Sequence, residues 1–147
     1  MSITQPLEQL QTFSQWSRHH PGLRLLILFG SRARSDHDPT SDWDIAFLSD
    51  SNISTKHSSS WFPDLEILTT LSDFAGITQD RIDLVDLSVC NDILAHVVAR
   101  DGQLIYERHP GEFARFQQQA LKTPDELQQF RQAQRQKVLD ALVRWGV

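Results

Sequence analysis

Hydrophobic residues along the first third of the chain follow two different spacings, and each spacing predicts a different element. Apolar side chains recur every three or four positions in the opening segment, which predicts an amphipathic helix over residues 6–19. The nearly continuous apolar run at 23–29 and the run at 43–48 predict two buried strands. Between these strands, residues 31–35 are expected to form a short helix or a tight turn.

The middle of the chain continues this alternation of helices and strands. A segment rich in Ser, Asn and Thr, residues 49–60, is expected to form an exposed loop. Gly76 follows the next helical pattern and is the expected stop of that helix. Four elements are predicted here: a helix at 63–74, a strand at 81–87, a helix at 89–99 capped by Ser88, and a short edge strand at 104–106.

The tail beyond residue 107 is predicted to be helical. One helix is expected over 112–121, and the sequence Thr123-Pro124-Asp125-Glu126 is typical of a new helix that begins with a capping box. We therefore predict a core over residues 1–107 and a helical tail over 108–147, within a single domain. The tail packs either on the core or on a partner, and the sequence leaves both interpretations open.

The order of elements predicts a small α/β (α+β) fold in which helices flank a mixed sheet of three or four strands. The 147 residues suit one domain, and no apolar run is long enough to span a membrane. The net charge of −5 argues against tight binding to a nucleic-acid backbone, which needs a basic surface. The single cysteine, Cys90, excludes an internal disulfide. With no leader-like N-terminal pattern, we expect a cytoplasmic protein.

The segment from residue 30 to residue 44 carries the candidate chemistry. Gly30 and Ser31 end the first strand, and after ten intervening residues Asp42 and Asp44 begin the second. Strand side chains alternate between faces, so these two carboxylates point the same way and repel each other unless a cation lies between them. Magnesium is commonly held by a few carboxylates together with substrate phosphates. Because Gly30 permits close approach of a ligand and Ser31 can donate to a phosphate, the segment predicts a metal-assisted nucleoside triphosphate site.

This arrangement resembles the signature of the polymerase-β-like nucleotidyltransferases. More narrowly, Leu28-Phe29-Gly30-Ser31-Arg32-Ala33-Arg34 through Ser41-Asp42-Trp43-Asp44-Ile45-Ala46 resembles the minimal nucleotidyltransferase (MNT) subfamily. The resemblance covers most of the chain up to residue 107. It implies a polymerase-β-like fold and an Mg²⁺-dependent transfer of AMP, with ATP as the substrate that supplies it.

A third carboxylate lies on a later strand of the sheet in this family, and the chain offers Asp83 and Asp86 for that position. The two are three residues apart, so they face opposite sides of a strand. Asp83 matches the family's pattern of an apolar residue, Asp and two apolar residues, and it is the preferred candidate. The resemblance thus implies that Asp42, Asp44 and Asp83 are the catalytic and metal-binding residues, with Asp83 also the general base toward the attacking hydroxyl.

Nucleotide binding is assigned by the same resemblance to the turn after the first strand. Gly30 and Ser31 would hold the β and γ phosphates. Arg32 and Arg34 both neighbour this turn, and only one of them can easily face the site; Arg32 is the predicted nucleotide-binding residue. His37 lies in the following loop, where contact with a nucleotide and simple exposure to solvent both remain open.

Proteins of the MNT type are commonly antitoxins that adenylylate a tyrosine hydroxyl of a HEPN-family ribonuclease toxin and so inactivate it. The resemblance therefore implies a protein adenylyltransferase with a cognate HEPN toxin as its partner in a hetero-oligomer. Two alternatives are a non-catalytic antitoxin that neutralises its toxin by binding, and a small-molecule nucleotidyltransferase of the aminoglycoside type. The intact acidic residues argue against the first alternative, and the lack of a clear second substrate domain argues against the second.

Overall fold

The computed structural model describes residues 16–35, 38, 40–50 and 63–146. Most of the predicted helix over 6–19, most of the predicted loop over 49–60, and His37 lie outside the described residues. Within the described part of the chain, no helix combines the length and the apolar character needed to cross a membrane.

Helices and strands alternate as the hydrophobic pattern predicts. The elements are, in chain order, α1 (Trp16–His19), β1 (Leu23–Phe29), α2 (Ser31–Arg34), β2 (Trp43–Ser49), α3 (Pro63–Ala75), a 3₁₀ turn (Gln79–Arg81), β3 (Ile82–Asp86), α4 (Asp92–Asp101), β4 (Gln103–Glu107), α5 (Glu112–Ala120) and α6 (Pro124–Arg144). Gly76 follows α3 with a φ of 71°, a left-handed conformation that ends the helix, as predicted.

A four-stranded mixed sheet forms the centre of the fold, in the order β3-β2-β1-β4. β1 pairs antiparallel with both β2 and β4, whereas β2 and β3 run parallel. A parallel pair needs a crossover connection, and α3 lies in the segment that joins β2 to β3. The predicted fold class is confirmed, with β4 at the edge of the sheet.

Alternation along the strands gives the sheet two apolar faces. One face packs against α1 and α3 in a cluster that includes Trp16, Leu26, Leu28, Trp43, Ile45, Phe47, Ile67 and Leu71. The other face packs against α4 and α5 in a cluster that includes Leu25, Ile27, Phe29, Ala46, Val98, Phe113 and Phe116. Full burial of one side chain such as Ile45 stabilises the fold by about 1.5–3 kcal/mol.

The start of α4 differs from the prediction, because Ser88 is not its cap. The Asn91 side chain caps the helix by accepting a hydrogen bond from the Leu94 N–H at 2.8 Å. Ser88 belongs instead to a turn, in which its N–H and its hydroxyl both donate to Oδ1 of Asp86, at 2.9 and 2.7 Å. This turn occupies the residues after β3, so the helix begins at Asp92.

The C-terminal helix α6 begins as predicted but buries nothing. Thr123 and Glu126 form the reciprocal capping box, with distances of 3.1 and 3.3 Å. None of its described residues is buried, and its C-terminal half ends in the strongly exposed Val143 and Trp145. α5, by contrast, packs on the sheet, so the body extends past residue 107; the division of the chain at that residue stays a prediction.

Candidate active site

Strand pairing places the three predicted carboxylates at one end of the sheet. Asp44 is the Cα partner of Phe29 on β1 and of Asp83 on β3. Asp42 immediately precedes β2 and is exposed, as is Asp83, whereas Asp44 is partly buried. We call Asp42, Asp44 and Asp83 the acidic edge. Asp44 and Asp83 lie on neighbouring strands and Asp42 lies just before the first of them, and the sequence spacing alone does not reveal that β2 and β3 are neighbours.

Gly30 brings the backbone against the acidic edge. Its φ of 74° and ψ of −157° lie in a region that essentially only glycine adopts. A Cβ built on Gly30 would lie 3.0 Å from Cγ of Asp44 and would overlap its Oδ2. A side chain at this position would therefore both strain the backbone and displace the carboxylate.

Charge repulsion is concentrated at Asp44. Burial is the main cause that raises the pKa of its carboxyl above the usual range, and the neighbouring charges of Asp83 and Asp42 raise it further. Arg34 acts in the opposite sense and lowers it. Asp44 is thus close enough to both Asp83 and Asp42 for their charges to act on its carboxyl.

Asp86, the alternative third carboxylate, lies away from the acidic edge. Within β3, Ile82 and Leu84 pack into the core cluster on the face of α1 and α3. Asp83 and Val85 alternate with them, and Val85 packs into the cluster on the other face. Asp86 follows Ile82 and Leu84 in this alternation and accepts two hydrogen bonds from Ser88. The geometry therefore favours Asp83 for the third position, and its catalytic role stays a prediction.

Arg32 and Arg34 leave the turn in different directions. The Arg32 guanidinium donates to the Ser41 carbonyl through Nε at 3.2 Å and Nη2 at 2.9 Å, and it lies 4.0 Å from the ring centroid of Trp43. Trp43 belongs to the sheet face opposite Asp44. Arg34 is exposed and acts electrostatically on both Asp44 and Asp101. Arg34 thus acts on Asp44, whereas Arg32 acts on Asp42 and packs against the opposite face of the sheet.

A compact turn presents Asp42. Oδ1 of Asp38 accepts hydrogen bonds from the Thr40 N–H at 2.7 Å and from the Thr40 hydroxyl at 2.5 Å. These bonds from the Thr40 hydroxyl and N–H are the main cause that lowers the pKa of Asp38. The Ser41 hydroxyl in turn accepts a hydrogen bond from the Asp38 N–H at 3.0 Å. The turn fixes the backbone that leads directly into Asp42 and β2.

The acidic edge suits Mg²⁺ in the chemistry of its donors. In the described parts of the chain, no three acidic, histidine or cysteine side chains already form a metal cage. Mg²⁺ nevertheless commonly binds through one or two carboxylates, with substrate phosphates and water completing its shell. Asp42 and Asp44 could supply two hard oxygen ligands. Burial is the main cause that raises the pKa of Asp44, and a divalent cation would offset the further contribution from the charges of Asp83 and Asp42.

Two residues that sequence reasoning missed hold this region together. Arg81, just before β3, donates from Nη2 to the same Ser41 carbonyl at 3.1 Å. Gln103, at the start of β4, donates to the Ala33 carbonyl at 2.7 Å and so holds α2 after the glycine turn. Both bonds join residues far apart in sequence, and no local motif marks them.

Comparison with known proteins decides the family. A profile of the family described as polymerase beta, nucleotidyltransferase, matches residues 11–111, more than half of the chain. The chain belongs to this family. A relative of this nucleotidyltransferase, the protein adenylyltransferase MntA of Aphanizomenon flos-aquae, is 36% identical over 130 residues, which are 86% of this chain and 85% of the relative.

Solved structures show the same nucleotidyltransferase fold. A chain from the crystal structure of a toxin–antitoxin complex with AMP-PNP aligns with a TM-score of 0.59, at 22% identity, over 92% of this chain and 98% of its own. A chain from the complex of a tri-AMPylated Shewanella oneidensis HEPN toxin with its MNT antitoxin aligns with a TM-score of 0.55, at 22% identity, over 95% of this chain and 98% of its own. At these identities the likeness supports the fold.

Proposed function

We propose that this nucleotidyltransferase is an antitoxin enzyme that transfers AMP from ATP to a tyrosine hydroxyl of a cognate HEPN-family toxin, with release of pyrophosphate. The observation that carries the proposal is the acidic edge beside Gly30, with Asp44 in register with both Phe29 and Asp83. The related protein adenylyltransferase MntA supports a protein acceptor. The fold shared with toxin–antitoxin complexes is consistent with such a partner.

In this mechanism the acidic edge binds the metal–nucleotide complex and aligns the attacking oxygen. Asp42, Asp44 and Asp83 would hold Mg²⁺, which supplies charge stabilisation at the reacting phosphate. Asp83, the exposed member on β3, accepts the proton of the incoming tyrosine hydroxyl. Its exposure suits a protein acceptor, because a hydroxyl on another chain must approach from outside.

The glycine turn binds the rest of the triphosphate. Gly30 lets the backbone lie against the nucleotide, and the partly exposed Ser31 donates its hydroxyl to a phosphate. Arg34 acts electrostatically on Asp44 and is now the better candidate for a phosphate contact. The Arg32 guanidinium already contacts the Ser41 carbonyl and the Trp43 ring, which disfavours the nucleotide contact predicted for it. That contact stays a prediction.

The tail helix α6 is proposed as a contact surface for the toxin. Its described residues are not buried, and large apolar side chains are exposed toward its C-terminal end: Val138, Leu139, Leu142, Val143 and Trp145. An exposed apolar stripe of this kind is typical of a protein–protein contact. Location in the cytoplasm, where ATP and Mg²⁺ are available, belongs to the same proposal.

Isotope labelling tests the reaction. The protein is incubated with Mg²⁺, the proposed HEPN-family toxin, and ATP labelled either at the α or at the γ phosphate. We expect the partner to gain label from α-labelled ATP only. Label from γ-labelled ATP would indicate phosphoryl transfer instead. Loss of toxicity without any label would favour the antitoxin that acts only by binding.

A further inference from the structure

Two arginines converge on a single backbone carbonyl next to the acidic edge. The Ser41 oxygen accepts from Nε and Nη2 of Arg32 at 3.2 and 2.9 Å, and from Nη2 of Arg81 at 3.1 Å. Three N–H donors thus meet one oxygen that ordinarily accepts two. We call this arrangement the arginine clamp.

Burial and a second positive charge both act on the Arg32 guanidinium in the clamp. Burial is the main cause that lowers the pKa of Arg32 below its usual range, and the charge of Arg81 is the next largest. The nearby carboxylates of Asp38 and Asp42 act in the opposite direction. Two like charges are thus held next to one backbone carbonyl.

The clamp also ties together the parts of the chain that carry the acidic edge. Arg32 comes from α2, directly after the glycine turn, and its guanidinium stacks on Trp43 of β2. Arg81 lies two residues before Asp83. Ser41 lies one residue before Asp42, so its carbonyl belongs to the peptide bond that leads into Asp42. Holding that carbonyl restricts the orientation of the peptide plane that carries the N and Cα atoms of Asp42, and so limits the directions in which its side chain can leave the backbone.

We propose that Arg32 and Arg81 are positioning residues that hold Asp42 in its metal-binding orientation through the Ser41 carbonyl. Neither arginine needs to contact the nucleotide for this role. The inference rests on the proposed function in taking Asp42 as a metal ligand. It assigns Arg81 a role and gives Arg32 a different role from the phosphate contact predicted from sequence.

The positioning role predicts different effects on metal binding and on the binding of metal-free nucleotide. Residues that orient a metal ligand typically change metal affinity or activity by about 10–100-fold when they are replaced. We therefore expect Arg81→Met to weaken Mn²⁺ binding in the presence of AMP-PNP by about tenfold and to lower kcat by a similar factor. Binding of AMP-PNP without metal should stay within about twofold, because no phosphate contact is removed, whereas the KM for the Mg²⁺–ATP complex should rise together with the weaker metal binding.

The experiment measures Mn²⁺ binding by electron paramagnetic resonance, and AMP-PNP binding without metal by calorimetry. The variants are Arg32→Met, Arg81→Met, Arg81→Lys and the double Arg32→Met/Arg81→Met. Arg81→Lys keeps the charge and one donor, so we expect an intermediate effect, and it serves in place of Arg81→Met if that variant unfolds. Arg115→Met, an exposed arginine on α5, is the matched control and should bind Mn²⁺ as the unmodified protein does.

Two results would overturn the clamp. One is normal Mn²⁺ binding by Arg81→Met while Asp42→Asn loses it; the other is weaker AMP-PNP binding without metal, which would make these arginines phosphate ligands. Failure of the proposed function looks different. The unmodified protein would then transfer no AMP to its partner, while the Mn²⁺ measurements would still separate Arg81→Met from Arg115→Met.

Discussion

The acidic edge and the C-terminal helix are both exposed, yet the rest of the molecule supports them very differently. Asp44 is fixed by pairing with two strands, by the close approach of Gly30 and by a turn that precedes it. α6 is anchored at its beginning, where its capping box forms and where the Lys122 N–H donates to buried His96 at 3.0 Å. Beyond that point no described residue of the helix is buried.

This difference in support suits two different tasks, the transfer reaction at the acidic edge and the recognition of a partner by α6. A phosphoryl-group reaction depends on positions held to within a fraction of an ångström, so its residues belong on paired strands. A surface for a protein partner needs exposed apolar area, and the fold gains nothing from that area until the partner covers it. Substitutions at the acidic edge should therefore abolish transfer, whereas substitutions on α6 should weaken only the complex.

The largest effect is expected from the acidic edge itself. Asp42→Asn or Asp44→Asn should reduce AMP transfer at least about a thousandfold, because each removes a charge that faces the metal and the reacting phosphate. The far-ultraviolet circular dichroism should not change. Asp83→Asn should behave similarly, whereas Asp86→Asn, on the other side of β3, is the control and should retain transfer. Full activity in Asp83→Asn would remove that residue from the site.

A smaller but still large effect is expected from the glycine turn. Gly30→Ala should destabilise the fold by about 1–3 kcal/mol, because alanine is strained at this φ and ψ. It should also lower transfer by about 100-fold by displacing the Asp44 carboxylate. Urea unfolding measures the loss of stability, and the rate of AMP transfer measures the loss of activity.

Gly76→Ala is the matched control for that prediction. Gly76 has a similar φ of 71°, but a Cβ there would meet nothing within 4 Å. The control should lose stability and keep its transfer rate. Equal losses of transfer in both variants would mean that strain, and not the contact with Asp44, explains the effect.

The exposed end of α6 should affect binding alone. Replacing Val143 and Trp145 together by Ser should weaken the complex with the HEPN partner by about tenfold or more, because apolar interface area is lost. The thermal midpoint of the isolated protein should not change, since these side chains are 76% and 80% exposed. Val89→Ser, at an equally exposed apolar position before α4, is the control for calorimetry. An unchanged affinity would contradict the role of α6.

The smallest effect concerns the stability of the metal-free protein. Burial, Asp83 and Asp42 raise the pKa of Asp44, so the folded state binds this proton more tightly than the unfolded chain does. The contribution of the Asp44 carboxyl to the free energy of unfolding is fully present below the usual aspartate pKa of about 3.9. It is lost as the pH rises through the raised pKa of the folded state. Asp44→Asn should therefore raise the thermal midpoint by a few degrees at pH 7, measured in EDTA, and by nothing at pH 3.

The parts of the site that depend on residues close together in the chain could be predicted from sequence. Gly30 and Ser31 follow one buried strand, Asp42 and Asp44 begin another, and alternation alone places those two carboxylates on one face. Alternation shows only that Asp83 and Asp86 face opposite sides, and the preference for Asp83 rests on the resemblance to the family's pattern of an apolar residue, Asp and two apolar residues. The structure pairs Asp83 with Asp44. The family prediction is confirmed by the matching profile and by the MntA relative.

What could not be predicted depends on contacts between distant residues. The arginine clamp joins Arg81 to Ser41 across 40 positions, and Gln103 reaches Ala33 across 70. The packing of the Arg32 guanidinium on Trp43, which bears on whether Arg32 or Arg34 contacts a phosphate, could not be predicted from sequence either. The apolar positions of α6 predict an amphipathic helix equally well whether its face packs on the body or meets a partner.

The most direct test of the account is the intact mass of the HEPN-family partner after incubation with this protein, ATP and Mg²⁺. We predict that the partner gains the mass of one AMP group or a whole multiple of it, and that Asp42→Asn produces no gain. A partner whose mass does not change, although it forms a stable complex with the unmodified protein, would contradict the enzymatic role of the acidic edge.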